Sequence, residues 1–405
     1  MEEKLLEELY EFEEGDISSD YFPVFIKKNS IDLDFPLIHV SGINGKSAVC
    51  SFLHNFYAEN GYTSALFLTS YETSICECIR INNSKISEKE FTTLFEDHKK
   101  QFKKLGLTRK EILLAIFLLH IKEKKVDLVI IESGNGGRGD FTLLDYENNI
   151  LSIITSVSLA HTDILGTTSS EIAFQVSSVI GEQSKVLLGK VDENSEDTII
   201  DEATKLHTEI FKVDNYFQFK LVPGGFAFDY RPYKDLIYKG ESSYLVNSIC
   251  LAIEATKILS ASFPVEEVNI KSVLLKGVEQ TYFERNGLFI FERADNLEAV
   301  TNALGSIKYC FNRPKFVLFA SDYKTNIAAI LPLINNFIDS ITLTRLSDLE
   351  LRNEDDYFLY LGDYKYEDNP FTAINSFKDI DPEGSILIIG NKEFVVRMKE
   401  ELNEE

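Results

Sequence analysis

The residues best suited to chemistry lie in a short glycine-containing segment near the amino terminus. This segment is Gly42-Ile43-Asn44-Gly45-Lys46-Ser47. It follows an apolar run at residues 36–41 and precedes a helical pattern that extends to about residue 60. Glycines let backbone amides approach phosphate oxygens, and a helix start carries partial positive charge. Lys46 can neutralise phosphates, and the Ser47 hydroxyl can reach Mg²⁺. The segment therefore predicts a phosphate-binding loop, although only two residues separate Gly42 from the Gly-Lys pair. A plain strand-to-helix turn is the alternative.

Two further strand ends carry polar groups. Glu132 closes the apolar run at residues 126–132 and precedes a glycine-rich segment that ends at Asp140, while His161 follows the run at residues 150–157. Ligands bind open α/β sheets outside the carboxyl ends of the strands. Glu132 can hold Mg²⁺ directly or through water, and His161 can bind a metal or a phosphate. The alternatives are a helix-capping acid and a structural histidine.

Alternating strand-like and helical segments position these residues. Such alternation favours an α/β fold with a largely parallel sheet. Residues 216–238 are aromatic and alternating, which predicts antiparallel strands. A second alternating unit has strand-like runs at residues 288–291, 315–320, 340–344, 357–361 and 385–389. We therefore expect two domains, residues 1–285 and 286–405.

Composition limits the partners and the compartment. The 405 residues include 65 acidic and 41 basic side chains, for a net charge of −24, so we expect no nucleic-acid binding. The longest apolar run, residues 112–119, is too short to cross a bilayer, so we expect no membrane association. The start lacks a secretory signal pattern, and the five cysteines have no framework spacing. These features predict a cytoplasmic protein.

In their order along the chain, the motifs resemble those of the folylpolyglutamate synthase/dihydrofolate synthase family of the Mur ligase superfamily. The segments that carry the resemblance are residues 38–46, 79–82, 132–140 and 153–166. It implies a P-loop ATPase domain with a parallel sheet, followed by a smaller Rossmann-like α/β domain, with ATP and substrate in the cleft between them. It also implies an ADP-forming ligase that phosphorylates a carboxylate acceptor and joins the acyl phosphate to an amino acid such as glutamate.

The resemblance also assigns roles to individual residues. It implies catalytic roles for Lys46 and His161, with ATP and Mg²⁺ as the bound groups. The implied nucleotide contacts are Gly42, Asn44, Gly45, Lys46, Ser47 and Asn296. The implied Mg²⁺ ligands are Ser47, Glu132 and His161. We expect a monomer that acts on a small-molecule carboxylate acceptor and an amino acid.

Several positions depart from the family pattern. Ile43 replaces a threonine of the loop, and Ala160 replaces an aspartate before the histidine. Val176 stands where many members have a lysine that is carbamylated. Tyr282 replaces an interdomain arginine, and Asp295 replaces a histidine of the second domain. Two hypotheses remain at this point. The first is an active ligase with low activity on folate, and one form of this hypothesis is a ligase with a changed substrate. The second is a degenerate paralogue that binds nucleotide or a partner protein without catalysing ligation.

The second domain gives one electrostatic expectation. Glu292 and Asp295 fall in the segment that should face the cleft. Their negative charge predicts poor acceptance of an anionic polyglutamate tail and better acceptance of a neutral or cationic substrate.

Overall fold

A computed structural model describes residues 2–13, 15, 20–71, 74–213, 218–240, 242–277, 283–286, 288–310, 314–338, 340–360 and 363–403. Its strands are β1 (Leu37–Ser41), β2 (Ser64–Phe67), β3 (Ile79–Ile81), β4 (Ser84–Lys85), β5 (Leu128–Glu132), β6 (Asn149–Ile154), β7 (Lys185–Leu188), β8 (Glu209–Lys212), β9 (Phe219–Val222), β10 (Gly225–Tyr230), β11 (Tyr233–Lys239), β12 (Phe283–Asn286), β13 (Phe289–Glu292), β14 (Phe316–Ala320), β15 (Ile341–Leu343), β16 (Lys365–Tyr366) and β17 (Ile386–Gly390).

The α-helices lie between these strands and at both ends of the chain. They are α1 (Glu2–Tyr10), α2 (Phe22–Lys28), α3 (Lys46–Glu59), α4 (Glu88–Leu105), α5 (Arg109–Lys122), α6 (Ser169–Val176), α7 (Glu193–Lys205), α8 (Leu245–Ile258), α9 (Glu267–Lys276), α10 (Leu297–Cys310), α11 (Ile327–Asn335), α12 (Pro370–Ile380) and α13 (Lys392–Asn403). Short 3-10 helices span Ile75–Cys78, Ser177–Val179 and Asp355–Tyr360.

An eight-stranded sheet dominates the first part of the chain. Its order is β4-β3-β2-β5-β1-β6-β7-β8, and the strands from β2 to β8 in this order run parallel. The strands β5, β1 and β6 are therefore neighbours, and their carboxyl ends meet at one edge. The three segments that the sequence singles out follow these strand ends, so they lie together. Ligand sites of open α/β sheets form at this edge, where connections leave neighbouring strands in opposite directions.

Both faces of this sheet are buried, which explains its continuous apolar strands. On one face, Ile38 and Val40 of β1 pack in a cluster with residues of α3 and α8 and of the antiparallel sheet β11-β10-β9. On the other face, Leu37 and Phe67 pack with α4 and α5. The antiparallel sheet confirms the expectation for residues 216–238 where these residues are described.

A six-stranded sheet forms the second part of the chain, in the order β12-β13-β17-β14-β15-β16. Its strands are parallel except β12, which is antiparallel to β13. Apolar clusters cover both faces. This sheet begins at Phe283, close to the proposed division at residues 285 and 286, which stays a prediction.

One expected strand needs correction, and several elements were not anticipated. The run at residues 357–361 is not a strand, because residues 357–360 lie in the Asp355–Tyr360 3-10 helix and residue 361 lies outside the described residues. The strand that extends the sheet there is β16. The elements not anticipated from the sequence are helices α1, α2 and α7 and strands β3, β4, β8 and β12.

Hydrogen bonds and an ion pair join the two parts of the chain. The Ser243 amide and the Ser306 hydroxyl are 3.0 Å apart, and the Lys324 ammonium lies 3.7 Å from the Asp163 carboxylate.

Cys50, Cys76, Cys78 and Cys250 are buried and form no disulfide. No helix within the described ranges is long and apolar enough to cross a membrane.

Candidate active site

The loop between β1 and α3 has the backbone that a phosphate site needs. Gly42 has φ of 124°, and a Cβ there would lie 2.3 Å from the Thr155 hydroxyl oxygen. Gly45 has φ of 84° and immediately precedes α3. Side chains other than glycine are disfavoured in both conformations, so the glycines are required by the shape of the loop. Strand, loop and helix therefore confirm the expected local structure.

Lys46 begins α3 and its ammonium stays over the loop. The Nζ atom donates to the carbonyl oxygens of Gly42 at 2.9 Å and Ile43 at 3.3 Å. The side chain is half-buried. A lysine folded over the loop in this way places a full positive charge beside the amides at the helix start, where phosphate oxygens bind.

Ser47 and Glu132 are in direct contact below the loop. The Ser47 hydroxyl donates to Glu132 Oε1 over 2.7 Å, and the Thr69 amide donates to Oε2 over 3.0 Å. Glu132 is only 3% exposed. The first turn of α3, the end of β5 and the second residue after β2 thus fix the carboxylate. The sequence predicted Ser47 and Glu132 but missed Thr69 as the group that orients the carboxylate.

The donor set fits a magnesium ion. The Ser47 hydroxyl and Glu132 carboxylate present two adjacent oxygen atoms, the type of ligand that Mg²⁺ prefers, and Mg²⁺ usually retains water and phosphate ligands as well. Among the described residues, no group of three or more His, Cys, Asp and Glu side chains is placed to hold a metal. Ser47 and Glu132 would therefore hold such an ion together with substrate phosphate and water.

Asn44 ties the loop to the end of β6. Its backbone amide donates to the Ser156 hydroxyl over 3.0 Å, and its carbonyl oxygen accepts from the Thr155 hydroxyl over 2.7 Å. These contacts fix the centre of the loop between the two glycines.

The Asn44 side chain reaches the second part of the chain. Its amide exchanges two 3.1 Å hydrogen bonds with the Asn296 amide, one in each direction. Asn44 Nδ2 also donates to Glu298 Oε2 over 2.6 Å. Asn296 was expected near nucleotide, and the structure brings it to the loop. Glu298 was missed; the signal available in the sequence was its position two residues after Asn296, at the start of a helix.

His161 lies in the same cavity wall but on a separate loop after β6. Its φ is 49°, its side chain is exposed, and its carbonyl oxygen accepts from the amides of Ile164 and Leu165. Asp295 is exposed at the cavity; partial desolvation there and the charge of Asp322 raise its pKa, whereas His161 lowers it. His161 therefore faces the acidic loops of the second sheet. Its expected roles as catalyst and metal ligand stay predictions.

The glycine-rich segment after Glu132 folds around its own carboxylate. Asp140 is 3% exposed and accepts hydrogen bonds from the amides of Gly134 and Gly136 and from the amide and hydroxyl of Thr142. Asp140 is therefore a structural residue, whereas Glu132 faces the cavity.

The positions that depart from the family pattern have different environments. Val176 is fully buried in the apolar cluster formed by α6, α7, β7 and their neighbours. Ala160 lies beside His161 in the loop after β6. Tyr282, at the position of the interdomain arginine, lies outside the described residues.

The electrostatic expectation for Glu292 needs correction. Glu292 is 2% exposed, and burial raises its pKa well above the usual range, with Arg293 and Tyr244 acting in the opposite direction. The neutral acid is favoured, because desolvation penalises the charged form. Glu292 therefore contributes less negative charge to the cavity than its residue type suggests.

One large cavity collects these groups. Its volume is about 1610 Å³, and its walls come from both sheets. One end is lined by Tyr10, Tyr71 and Arg109; the other is lined by Lys190, Val213, Tyr244 and Asn247. The loop between β1 and α3 lies between the two ends, so the cavity has room for a nucleotide-sized ligand and a second substrate.

Comparison with known proteins finds similarity to dihydrofolate synthase/folylpolyglutamate synthases over part of the chain. The dihydrofolate synthase/folylpolyglutamate synthase of Haemophilus influenzae is 31% identical over 190 residues, 45% of this chain and 42% of that protein. The protein of the same name from Bacillus subtilis is 36% identical over 151 residues, 36% of this chain and 35% of that protein. The matched segments thus span less than half the length of these relatives. No protein-family model matches the chain.

The structural likeness extends much further than the sequence match. The folylpolyglutamate synthase of Mycobacterium tuberculosis, in complex with ADP, aligns over 99% of this chain and 98% of its own, with a TM-score of 0.88 and 17% identity. At this identity the likeness establishes the fold. The chain is therefore a homologue of the dihydrofolate synthase/folylpolyglutamate synthases and has the fold of a folylpolyglutamate synthase along nearly its whole length.

Proposed function

We propose that the protein is an ATP-dependent, ADP-forming ligase that joins an amino acid such as glutamate to the carboxylate of a folate-like acceptor through an acyl phosphate. The observation that carries this proposal is the Ser47–Glu132 hydrogen bond of 2.7 Å directly below a glycine loop that opens into the 1610 Å³ cavity. The relatives named above are dihydrofolate and folylpolyglutamate synthases, and the M. tuberculosis structure carries ADP.

The nucleotide would place its phosphates over residues 42–47. Amides at the start of α3 and the Lys46 ammonium provide the positive charge, and Ser47 with Glu132 would hold Mg²⁺. That ion, when bound, offsets negative charge on the transferred phosphoryl group. The nucleoside would extend toward the α8 end of the cavity, where Ser248 borders the loop, 3.1 Å from the position of a Cβ on Gly45.

The acceptor would occupy the opposite end of the cavity. Thr69, which binds Glu132, is followed two residues later by Tyr71, so this wall starts next to the phosphate-transfer side. The guanidinium of Arg109 lies 4.2 Å from the centre of the Tyr10 ring. Two tyrosines and a stacked guanidinium suit a flat aromatic acid, because the rings stack and the cation binds the carboxylate.

The reaction then needs positioning and charge stabilisation. An acceptor carboxylate oxygen attacks the γ-phosphorus, and ADP leaves as an acyl phosphate forms. The amine of the amino acid attacks the acyl carbon; phosphate leaves and the amine proton is released. Lys46 stabilises negative charge on the phosphates during transfer, and the loop amides orient them.

The active ligase is favoured over the degenerate paralogue. The groups proposed to bind phosphate and magnesium lie together, and the cavity extends beyond them to an aromatic, basic wall that nucleotide binding alone does not require. The named relatives are ligases as well.

An assay of ADP release tests the proposal. Purified protein with ATP and Mg²⁺ is incubated with pteroate-type and tetrahydrofolate-type acceptors and a panel of amino acids, and products are identified by mass spectrometry. We expect ADP formation that depends on both the acceptor and the amino acid, and its loss in Lys46→Ala. ATP binding without ADP release for any combination would contradict the ligase assignment.

A further inference from the structure

Glu298 holds the centre of the phosphate loop from the other side of the cleft. It is the second residue of α10, in the six-stranded part of the chain. Its Oε2 atom accepts from Asn44 Nδ2 over 2.6 Å and from the Ser156 hydroxyl over 3.1 Å. One carboxylate oxygen therefore joins the loop and the end of β6.

These contacts close a ring of hydrogen bonds. The Asn44 backbone amide donates to the Ser156 hydroxyl, which donates to Glu298, and the Asn44 side-chain amide donates to the same carboxylate oxygen. The backbone and side chain of Asn44 are thus fixed together.

The helix that carries Glu298 is itself positioned by the loop contact. Asn296 pairs with the Asn44 amide, and its Oδ1 atom also accepts from the Ala299 amide over 3.0 Å in the first turn of α10. Asn296 therefore caps the helix and joins it to the loop. This capping fixes the start of α10, and with it the position of Glu298.

We propose that Glu298 is a positioning residue for nucleotide binding: as a hydrogen-bond acceptor it sets Asn44 and Ser156, and through them the loop between Gly42 and Lys46. Lys46 and the first amides of α3 follow Asn44 by two or three residues, so their direction depends on this anchor. The inference rests on the proposed function, because it concerns nucleotide bound to the loop.

Binding of a non-hydrolysable ATP analogue with Mg²⁺, measured by calorimetry, tests the role. Glu298→Ala removes the acceptor and should weaken affinity about tenfold. Glu298→Gln retains an amide oxygen that accepts from the same two donors, and should stay within about threefold of the unsubstituted protein. Asn44→Ala should weaken affinity as well, and adding Glu298→Ala to it should cost little more, because both changes open the same ring.

The control is Glu267, an exposed glutamate in the first turn of α9, outside the cavity lining. Glu267→Ala and Glu267→Gln should leave affinity unchanged, and melting temperatures report whether every variant folds. If the unsubstituted protein binds the analogue but neither Glu298 variant changes affinity, the inference alone is wrong. Tighter binding by both variants, or equal weakening by both, would also overturn it, because either result makes the charge rather than the acceptor decisive. Failure of the unsubstituted protein to bind would overturn the proposed function.

Discussion

The Ser47 hydroxyl donates a 2.7 Å hydrogen bond to Oε1 of Glu132, joining the first turn of α3 to the end of β5. The contact links two segments 85 residues apart in sequence. It is made possible because β1 and β5 are parallel neighbours whose carboxyl ends meet.

Removing the Ser47 hydroxyl should reduce the magnesium dependence of nucleotide binding. Ser47→Ala removes one of two adjacent oxygen ligands and leaves the buried Glu132 oxygen without this donor. We expect the gain in nucleotide affinity on adding Mg²⁺ to be smaller in Ser47→Ala than in the unsubstituted protein, by about tenfold or more. Calorimetry with and without Mg²⁺ measures the difference, and Ser47→Thr, which retains a hydroxyl, serves as the control. Equal magnesium effects in all three proteins would refute the assignment.

Replacing Lys46 should weaken nucleotide binding with little change in stability. Its ammonium contacts two loop carbonyls and the side chain is only half-buried, so Lys46→Ala removes mainly a phosphate partner. We expect affinity to fall on the order of tenfold to a hundredfold, with a melting temperature within a few degrees. Lys234→Ala, at an exposed lysine of β11, is the matched control. An unchanged affinity in Lys46→Ala would remove the lysine from the site.

Introducing a lysine at position 176 should destabilise the protein. Val176 is fully buried among apolar side chains, and a Cβ added to the neighbouring Gly136 would lie only 3.4 Å from a methyl group of the valine. Burial of an unpaired ammonium there should lower the free energy of unfolding by roughly 3–5 kcal/mol. Denaturant unfolding measures this, with Val176→Ile as the apolar control. A stable Val176→Lys protein with higher turnover in bicarbonate would show that the site still accepts a carbamylated lysine.

Two buried histidines should make stability fall in mild acid. Burial lowers the pKa of His39 to about 3 and that of His54 to about 4, below the usual value of about 6.5. Between these values the unfolded chain binds more protons than the folded one. The free energy of unfolding is therefore unaffected by titration of these histidines above about pH 6.5. It decreases as the pH falls below that value, by up to about 1.4 kcal/mol per pH unit for each histidine.

Unfolding by urea between pH 5 and pH 7 checks this dependence. His54→Gln should flatten the decline on the acid side, because it removes a group whose pKa is lowered by burial. Glu292 acts with the opposite sign: its raised pKa makes the folded state bind the extra proton, so its contribution is lost as the pH rises. An identical slope in His54→Gln and the unsubstituted protein would contradict the assignment for His54.

The sequence allowed the glycine loop and the acid beside it to be located because their determinants are local. A strand, two glycines, a lysine and a helix start lie within about 20 residues, and Glu132 ends an apolar strand whose neighbours follow from parallel-sheet rules. Glu298 could not be found in this way. Its partner, Asn44, is 254 residues away, and the contact depends on how the two sheets face each other.

Other errors arise from competing local signals. The aromatic run at residues 357–361 satisfies a strand pattern, yet Tyr357 is buried by a 3-10 turn with its hydroxyl 2.8 Å from the Ser321 hydroxyl. The sequence predicts a negative charge at Glu292, but burial raises the pKa of this carboxyl and favours its neutral form. Burial is set by the tertiary structure, and residue type alone does not reveal it.

The segment from Ser133 to Asp140 has a thermodynamic consequence. Its glycines would suggest a chain that must be ordered when a ligand arrives, at an entropic cost. Since Asp140 accepts from Gly134, Gly136 and Thr142, that ordering already accompanies folding. The wall of the cavity at Asn135 is therefore preorganised, and a ligand that touches it keeps more of its interaction energy as affinity.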